Sequence, residues 1–234
     1  MFDAARWPQA TAAALEPDGW NNAATPVSTG GRGAAWFVEG PFGRGVLRHY
    51  RRGGLAARVS RDSYLWLGEG RVRCLAEFRL LARLRGLGLP VPAPLLAGYW
   101  RRGLSYRAAI VVERIEGALS LADYLDQPGA AAWASAGATI ARLHAAGVDH
   151  ADLNAHNVLV GADGQAWLID FDRGRVRRPS AGWREANLAR LSRSLAKLAG
   201  PENESWREGF ERLRQSYEAA FNGAPVAGAT EVNR

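Results

Sequence analysis

Cysteine is almost absent from this 234-residue chain, which has Cys74 alone. A single cysteine excludes an intramolecular disulfide and a cysteine-based metal cluster. Long apolar runs are also missing: the most apolar stretch, residues 130–146, is interrupted by polar residues and falls short of the roughly 18 to 20 apolar residues that cross a membrane. Residues 1–14 lack the pattern of a secretory signal. We therefore expect a cytoplasmic protein.

Lysine is equally scarce, because Lys197 is the only lysine among 30 basic residues. The arginines outweigh 23 acidic residues and give a net charge of +7. This excess indicates either the arginine usage of a GC-rich genome or a surface that attracts the phosphates of a nucleic acid, an anionic membrane or a substrate. The sequence has no recognition-helix or RNP-like motif, so we do not predict a nucleic-acid partner.

Hydrophobic residues make up 47% of the chain, enough for one compact domain or two small lobes. Prolines, a glycine and two asparagines interrupt residues 1–25, for which we predict loose structure. The small, polar tail over residues 222–234 is predicted to fray.

Strand-like segments come first in the chain and helical segments follow. The β-favouring runs lie at residues 34–39, 45–51, 95–100, 106–113, 158–160 and 166–169, and the helical periods at 71–85, 130–145, 183–198 and 205–221. This order predicts an α+β fold in which a β-rich N-lobe over residues 26–113 and a short helical C-lobe over residues 114–221 form one domain.

One segment carries the pattern of a phosphotransferase. The stretch from His150 to Asn157 fits the kinase catalytic-loop pattern H-x-D-L-x-x-x-N, and Asp170-Phe171-Asp172 follows after a small hairpin. Phosphoryl transfer needs a carboxylate that takes the proton of the attacking hydroxyl, which we assign to Asp152. It also needs hard oxygen ligands for Mg²⁺ beside ATP, which we assign to Asn157 and Asp170. Asp172 is either a second metal ligand or a turn residue.

Further segments carry a family resemblance. They are Gly30-Gly31-Arg32-Gly33, the stretch from Leu47 to Leu55, Asp62-Ser63-Tyr64-Leu65, Glu77-Phe78 and Gly88-Leu89-Pro90-Val91-Pro92. With the catalytic segments, they make the chain resemble the lipopolysaccharide-core kinases of the protein-kinase-like superfamily. The resemblance is strongest to members that act on 3-deoxy-D-manno-octulosonic acid (Kdo), and it covers about Gly30 to Leu198.

The resemblance implies a two-lobed, protein-kinase-like fold that uses ATP and Mg²⁺. The implied reaction is phosphorylation of the 4-hydroxyl of Kdo on a Kdo-lipid A precursor during lipopolysaccharide core biosynthesis. The implied location is peripheral, on the cytoplasmic face of the bacterial inner membrane. Two alternatives stay open: a kinase of the same fold for a heptose or another small molecule, and a pseudokinase binding module.

The resemblance also assigns the ATP-binding residues of the N-lobe. Arg48 stands where protein kinases have a lysine that holds the phosphates, with Glu77 on the following helix as its partner. The alternative is that both are ordinary surface charges. Gly30, Gly31 and Gly33 form either a phosphate-approaching loop or a plain turn. Glu113 begins the expected hinge, whose backbone would hold the adenine.

The C-terminal part of the sequence favours a small-molecule or glycolipid acceptor. After Asp172 there is no Ala-Pro-Glu motif, and only about sixty residues remain, which disfavours a protein substrate. Basic runs interleaved with aromatic residues are either solvated faces or a surface for an anionic membrane. The sequence gives no indication of oligomeric state.

Overall fold

The computed structural model describes residues 1–21, 23–27, 35–51 and 62–223. Two compact units make up the chain: Met1–Leu87 with Pro92–Arg114, and Gly88–Val91 with Ile115–Arg234. The elements of the described residues are β1 (Thr25–Pro26), β2 (Ala35–Gly40), β3 (Gly43–His49), β4 (Tyr64–Leu65), α1 (Arg73–Gly86), β5 (Pro94–Arg102), β6 (Ser105–Glu113), β7 (Leu119–Ser120), α2 (Ala131–Ala145), β8 (Val148–Asp149), β9 (Val158–Val160), β10 (Ala166–Leu168), β11 (Arg175–Val176), α3 (Ala181–Ala199) and α4 (Ser205–Gly223).

The first unit is an antiparallel sheet with one α-helix. The strand order is β1-β2-β3-β6, with β5 on the other side of β6 and β4 beside the start of β6. The turn at Pro41-Phe42 joins β2 to β3, and Gly103 takes the left-handed conformation between β5 and β6 at φ 59°. The predicted strands and helix of this unit are confirmed, and with them the α+β class.

The N-terminal residues pack on this sheet, whereas the sequence predicted loose structure over residues 1–25. Phe2 forms an antiparallel bridge with Leu96. Trp7 lies 4.6 Å from Phe42 between ring centroids, and Trp20 lies 5.6 Å from Trp7. Prolines and a glycine rule out a regular period here, but both indoles are still buried, Trp20 at the end of a short 3-10 helix. Burying a side chain of this size stabilises the fold by about 1.5–3 kcal/mol.

The two faces of the sheet have different partners. Successive strand residues point to opposite faces, and in β3 Leu47 joins the cluster formed with the N-terminal residues. The next residue, Arg48, points to the other face and pairs with Glu77 of α1. The strand alternation therefore sets which face of the sheet carries the predicted ion pair.

The second unit is built around the pairing of α2 with α4. Trp133 of α2 is fully buried, and a Cβ placed on Gly209 of α4 would lie 2.3 Å from its ring. A Cβ on Gly137 would lie 2.1 Å from the backbone carbonyl oxygen of Leu213. The two glycines therefore let the helices approach to backbone contact.

Residues 88–91 belong to this second unit, although the sequence placed them in the N-lobe. The amide of Leu168 in β10 donates to the Pro90 carbonyl at 3.1 Å, and Arg142 donates to the Gly88 carbonyl at 3.0 Å. Leu89 and Val91 are buried. Residues 88–91 thus pack as part of the helical unit, because their backbone oxygens meet donors there.

A buried histidine joins three helices of the second unit. The ring of His144 in α2 lies edge-on to Trp183 of α3 and Tyr217 of α4, at 5.2 and 5.5 Å. Arg184 donates to the Tyr217 oxygen at 3.3 Å, so the tyrosine hydroxyl can donate to Nδ1 of His144, 3.0 Å away. Burial lowers the pKa of His144 to about 4. The imidazole is therefore neutral near neutral pH.

We predict that Gly137→Ala destabilises the protein by about 1–3 kcal/mol, because the added methyl group overpacks the contact between α2 and α4. Urea unfolding measures the change. Gly182→Ala in α3 is the matched control: this glycine is helical and exposed, with no tight neighbour for a Cβ, so alanine should be neutral or stabilising. Equal stability of the two variants would contradict the close packing.

We also predict that the free energy of unfolding falls as the pH falls from about 6.5 to about 4. In this window His144 binds a proton in the unfolded chain but not in the folded one, which amounts to about 3 kcal/mol. Urea unfolding at several pH values should show a smaller loss over this range in His144→Asn. Parallel curves for the two proteins would contradict the assignment.

Candidate active site

The predicted catalytic loop connects β8 to β9 in the second unit. Ala151 takes the left-handed conformation at φ 42°, which a residue with a Cβ adopts rarely and at some cost in free energy. The Asp152 side chain that follows is 38% exposed. A strained turn thus presents this carboxylate to solvent.

His150 ties the loop to the Asp170 segment. Its Nε2 lies 2.9 Å from the Ile169 carbonyl oxygen and must donate the hydrogen bond, and its ring packs 4.7 Å from Phe171. Nδ1 is buried without a hydrogen-bond partner. Burial lowers the pKa of His150, so the neutral Nε2-protonated form is maintained. These contacts give His150 a structural role in the loop.

A buried carboxylate anchors the start of the loop. Asp149 accepts hydrogen bonds from Arg177 at 2.9 Å, Asn187 at 3.0 Å and the Ala151 amide at 3.2 Å. Burial alone would raise the pKa of Asp149, but these donors outweigh burial and lower it. The Asn187 side-chain oxygen also accepts from the His150 amide at 3.0 Å. The backbone before Asp152 is therefore fixed from two sides.

Helix α3 supplies a polar stripe to this loop that the sequence reading missed. Asn187 contacts His150, the Arg190 side chain pairs with the Asp152 carboxylate, and the Ser194 hydroxyl accepts from the Ala155 amide at 3.2 Å. The spacing of three and seven residues puts all three on one helix face. The sequence signal for these three residues is a row of polar side chains at helical spacing next to the buried leucines of α3.

Asn157 and Asp170 lie side by side. The Ile169 amide donates to the Asn157 carbonyl at 3.0 Å, which places the next residue, Asp170, beside the asparagine. The Asn157 amide nitrogen donates to the Asp152 carbonyl at 3.0 Å, which leaves its side-chain oxygen for a cation. Asp170 takes the left-handed conformation at φ 63°. One amide oxygen and one carboxylate suit Mg²⁺, which usually completes its shell with phosphate oxygens and water.

The predicted ion pair of the first unit is present. A single guanidinium nitrogen of Arg48 donates to both carboxylate oxygens of Glu77, at 2.6 and 2.7 Å. The Tyr50 hydroxyl also donates to Glu77, and the Arg48 guanidinium lies 4.9 Å from the centroid of the Tyr50 ring. Glu77 is 2% exposed and Arg48 23%. The pairing is confirmed, and the reading of Glu77 as a solvated charge is wrong.

For the other predicted ATP-binding residues, the structure shows a bracing contact of Glu113 and does not describe the three glycines. Glu113 accepts from Arg6 at 3.0 Å and from the Ala93 amide at 3.2 Å, and its own amide donates to the Ala93 carbonyl at 2.8 Å. Its side chain therefore braces the first unit, and its role in holding adenine stays a prediction. Gly30, Gly31 and Gly33 lie outside the described residues.

Comparisons with known proteins agree with this chemistry. The model of the lipopolysaccharide kinase (Kdo/WaaP) family matches residues 18–217. A 3-deoxy-D-manno-octulosonic acid kinase from Xanthomonas campestris pv. campestris (strain B100) is 56% identical over 223 residues, which cover 94% of this chain and 90% of that protein. The kinase of the same name from Stenotrophomonas maltophilia (strain R551-3) is 55% identical over 224 residues, covering 95% and 90%.

Among solved structures, the crystal structure of aminoglycoside-3'-phosphotransferase of type VIII matches with a TM-score of 0.53. The match covers 88% of this chain and 89% of that chain at 18% identity, so the likeness concerns the fold alone. It confirms the predicted protein-kinase-like class. With a family model that spans most of its length and relatives above half identity, the chain belongs to the lipopolysaccharide kinase (Kdo/WaaP) family.

Proposed function

We propose that this protein is an ATP-dependent kinase that phosphorylates the 4-hydroxyl of Kdo on a Kdo-lipid A precursor in lipopolysaccharide core biosynthesis. The observation that carries the proposal is the joining of the catalytic loop to the Asp170 segment through His150, in a chain of this family. Relatives above half identity over nine-tenths of their length carry the name of Kdo kinases, which supports the choice of acceptor.

Asp152 acts as the general base. As the Kdo hydroxyl oxygen bonds to the γ-phosphorus of ATP, the bond from that phosphorus to the ADP oxygen breaks, and the Asp152 carboxylate takes the hydroxyl proton. The exposed carboxylate at the strained turn suits this task, because an acceptor can reach it. The buried contacts of the preceding residues hold it in position, and positioning is a large part of catalysis in phosphoryl transfer.

The triphosphate is bound by charge-assisted contacts. Arg48 contacts phosphate oxygens, while Glu77 and Tyr50 fix the direction of its guanidinium group. Asn157 and Asp170 hold Mg²⁺, which when bound neutralises the charge that develops on the phosphate oxygens. An arginine in place of the kinase lysine keeps a permanent positive charge, which suits phosphate binding.

Arg190 is a positioning residue for the base. Its guanidinium group pairs with one carboxylate oxygen of Asp152, and both side chains are partly exposed. An exposed pair of this kind contributes little to stability, about 0–1 kcal/mol. The contact instead restricts the rotation of the carboxylate, so that the second oxygen is oriented for the acceptor proton.

The acceptor we propose is a membrane lipid, and we propose that the protein works as a peripheral protein on the cytoplasmic face of the inner membrane. None of the helices among the described residues is long and apolar enough to cross a membrane. The net charge of +7 suits the anionic lipids at this surface.

A heptose or other small-molecule acceptor and a pseudokinase are the competing functions. No observation favours either. A degenerate site usually loses a metal ligand or the base, whereas Asp152, Asn157 and Asp170 are all in place. An acceptor panel of Kdo-bearing, Kdo-free and heptose-bearing lipid A precursors separates the enzyme readings, and transfer to the heptose form alone would exclude Kdo as the acceptor.

We predict that the purified protein transfers labelled phosphate from ATP to a Kdo-lipid A precursor when Mg²⁺ is present. Asp152→Asn should lower the rate by about 10²–10⁴-fold, because the hydroxyl loses its general base. Asp163→Asn is the matched control, since it changes an exposed carboxylate of the same unit in the turn between β9 and β10. Titration calorimetry with ATP should give similar affinities for both variants. Full activity of Asp152→Asn would overturn the assignment.

We predict that Arg48→Ala lowers kcat/KM for ATP by about 10- to 100-fold, mainly through KM, because a charge-assisted contact to phosphate is lost. Steady-state kinetics measure the effect, and Arg44→Ala on the same strand serves as the control. The single variant removes a positive charge from beside the buried Glu77 carboxylate, which can unfold the protein. Arg48→Ala/Glu77→Gln removes that charge, and normal KM for ATP in this double variant would exclude the phosphate role.

A further inference from the structure

The first unit exposes a group of leucines at one end of its sheet. Among the large hydrophobic residues that the structure describes, Leu104 has the highest exposure at 76%, and Leu65 and Leu67 are each 57% exposed. Leu104 lies in the turn between β5 and β6, and Leu65 and Leu67 lie in and just after β4. The Trp66 amide donates to the Leu104 carbonyl at 2.9 Å, so the two segments meet.

The strand register shows which residues share a face at this end of the sheet. Leu65 and Arg102 are both paired with Ser105, whereas Tyr64 and Arg101 are both paired with Tyr106. Directly opposed residues share a face and successive residues alternate. Leu65 and Arg102 therefore share one face of the sheet end, and Arg101 lies on the opposite face with Tyr64 and Tyr106. We call Leu65, Trp66, Leu67, Arg101, Arg102 and Leu104 the tip.

The charged members of the tip are basic and lie against its aromatic ring. The Arg101 guanidinium lies 4.9 Å from the centroid of the Trp66 ring, and its Nε donates to the Gly103 carbonyl at 3.0 Å. Arg102 is exposed. Trp66 in turn packs on Tyr99 at 5.2 Å between ring centroids. An aromatic base thus supports projecting leucines that are flanked by positive charge.

We propose that the tip is the edge by which this protein docks on an anionic lipid bilayer. Leucines that project beyond a sheet end suit insertion at the level of the acyl chains, and arginines beside them suit the phosphate headgroups. Tryptophan and tyrosine are enriched at membrane interfaces for their amphipathic rings. The long arginine side chains can reach the headgroups while the leucines enter the apolar layer.

Charge favours an anionic bilayer as the partner. The arginines of the tip lie on both faces of the sheet end, beside its exposed leucines, and no acidic residue is among the tip residues. The inference rests on the proposed function in one respect: a lipid acceptor explains why the enzyme would bind a bilayer. The docking itself needs neither ATP nor the acceptor, so it can be tested separately.

Co-sedimentation of the full chain with vesicles provides the test. We expect binding to vesicles of phosphatidylglycerol with phosphatidylethanolamine, weaker binding at high salt, and little binding to phosphatidylcholine. The triple variant Leu65→Ser/Leu67→Ser/Leu104→Ser should lower the affinity about tenfold or more, since apolar burial is lost. Arg101→Gln/Arg102→Gln should lower it about tenfold on anionic vesicles only.

The matched control for the leucine variant is Leu119→Ser/Leu198→Ser, which changes two exposed leucines of the second unit. It should bind as the unchanged protein does, and circular dichroism should show all variants folded. The inference is overturned if the unchanged protein does not bind anionic vesicles. It is equally overturned if the triple leucine variant binds these vesicles as well as the control variant does. It is also overturned if light scattering shows that the unchanged protein is a dimer and that the triple leucine variant is a monomer.

Kinase assays distinguish this inference from the proposed function. With the acceptor dispersed in detergent, the triple leucine variant should phosphorylate it at the rate of the unchanged protein. With the acceptor in anionic vesicles, the rate of this variant should fall about tenfold or more, because binding to the vesicles is lost. Normal transfer without vesicle binding would overturn the docking and leave the function intact. Vesicle binding by a protein that transfers no phosphate would overturn the proposed function and leave the docking intact.

Discussion

The neutral, buried imidazole of His150 is the group on which the site depends. Its Nε2 donates to the Ile169 carbonyl and its ring packs on Phe171, so it joins the loop that presents Asp152 to the segment that presents Asp170. Protonation would place a second N–H at a buried position without a partner among the described residues, which costs several kcal/mol or shifts the pKa. Burial lowers the pKa of His150 and so keeps the imidazole neutral near neutral pH.

A second buried group, the Glu77 carboxylate, plays the corresponding part in the first unit. A charge at 2% exposure is tolerated only when it is paired, and Arg48 and Tyr50 supply the partners. The scarcity of lysine in the chain is thus compatible with a phosphate-binding cation, because arginine meets the carboxylate and still has further donors. The alternation of β3 directs this pair to the face that α1 covers, away from the N-terminal residues.

The sequence was most informative where a short pattern carries fixed chemistry. The H-x-D-L-x-x-x-N pattern, the period of α1 and the partnership of Arg48 with Glu77 were all readable, because each depends on local spacing or on a known pairing. The packing of residues 1–21 was not predicted, since isolated tryptophans in irregular segments have no period and their burial depends on the sheet that they cover. Arg190 was missed because its partner, Asp152, is 38 residues away in the chain. Only the polar stripe of α3 could have suggested that this helix contacts the loop.

Mass spectrometry of the lipid product tests the central claim most directly. The protein is incubated with ATP, Mg²⁺ and a Kdo-lipid A precursor, and the product is fragmented to locate the added group. The account predicts one added phosphoryl group on the Kdo residue, at its 4-hydroxyl, and no such product from Asp152→Asn. A phosphate on the lipid A part or on a heptose, or the same product from the variant, would contradict it.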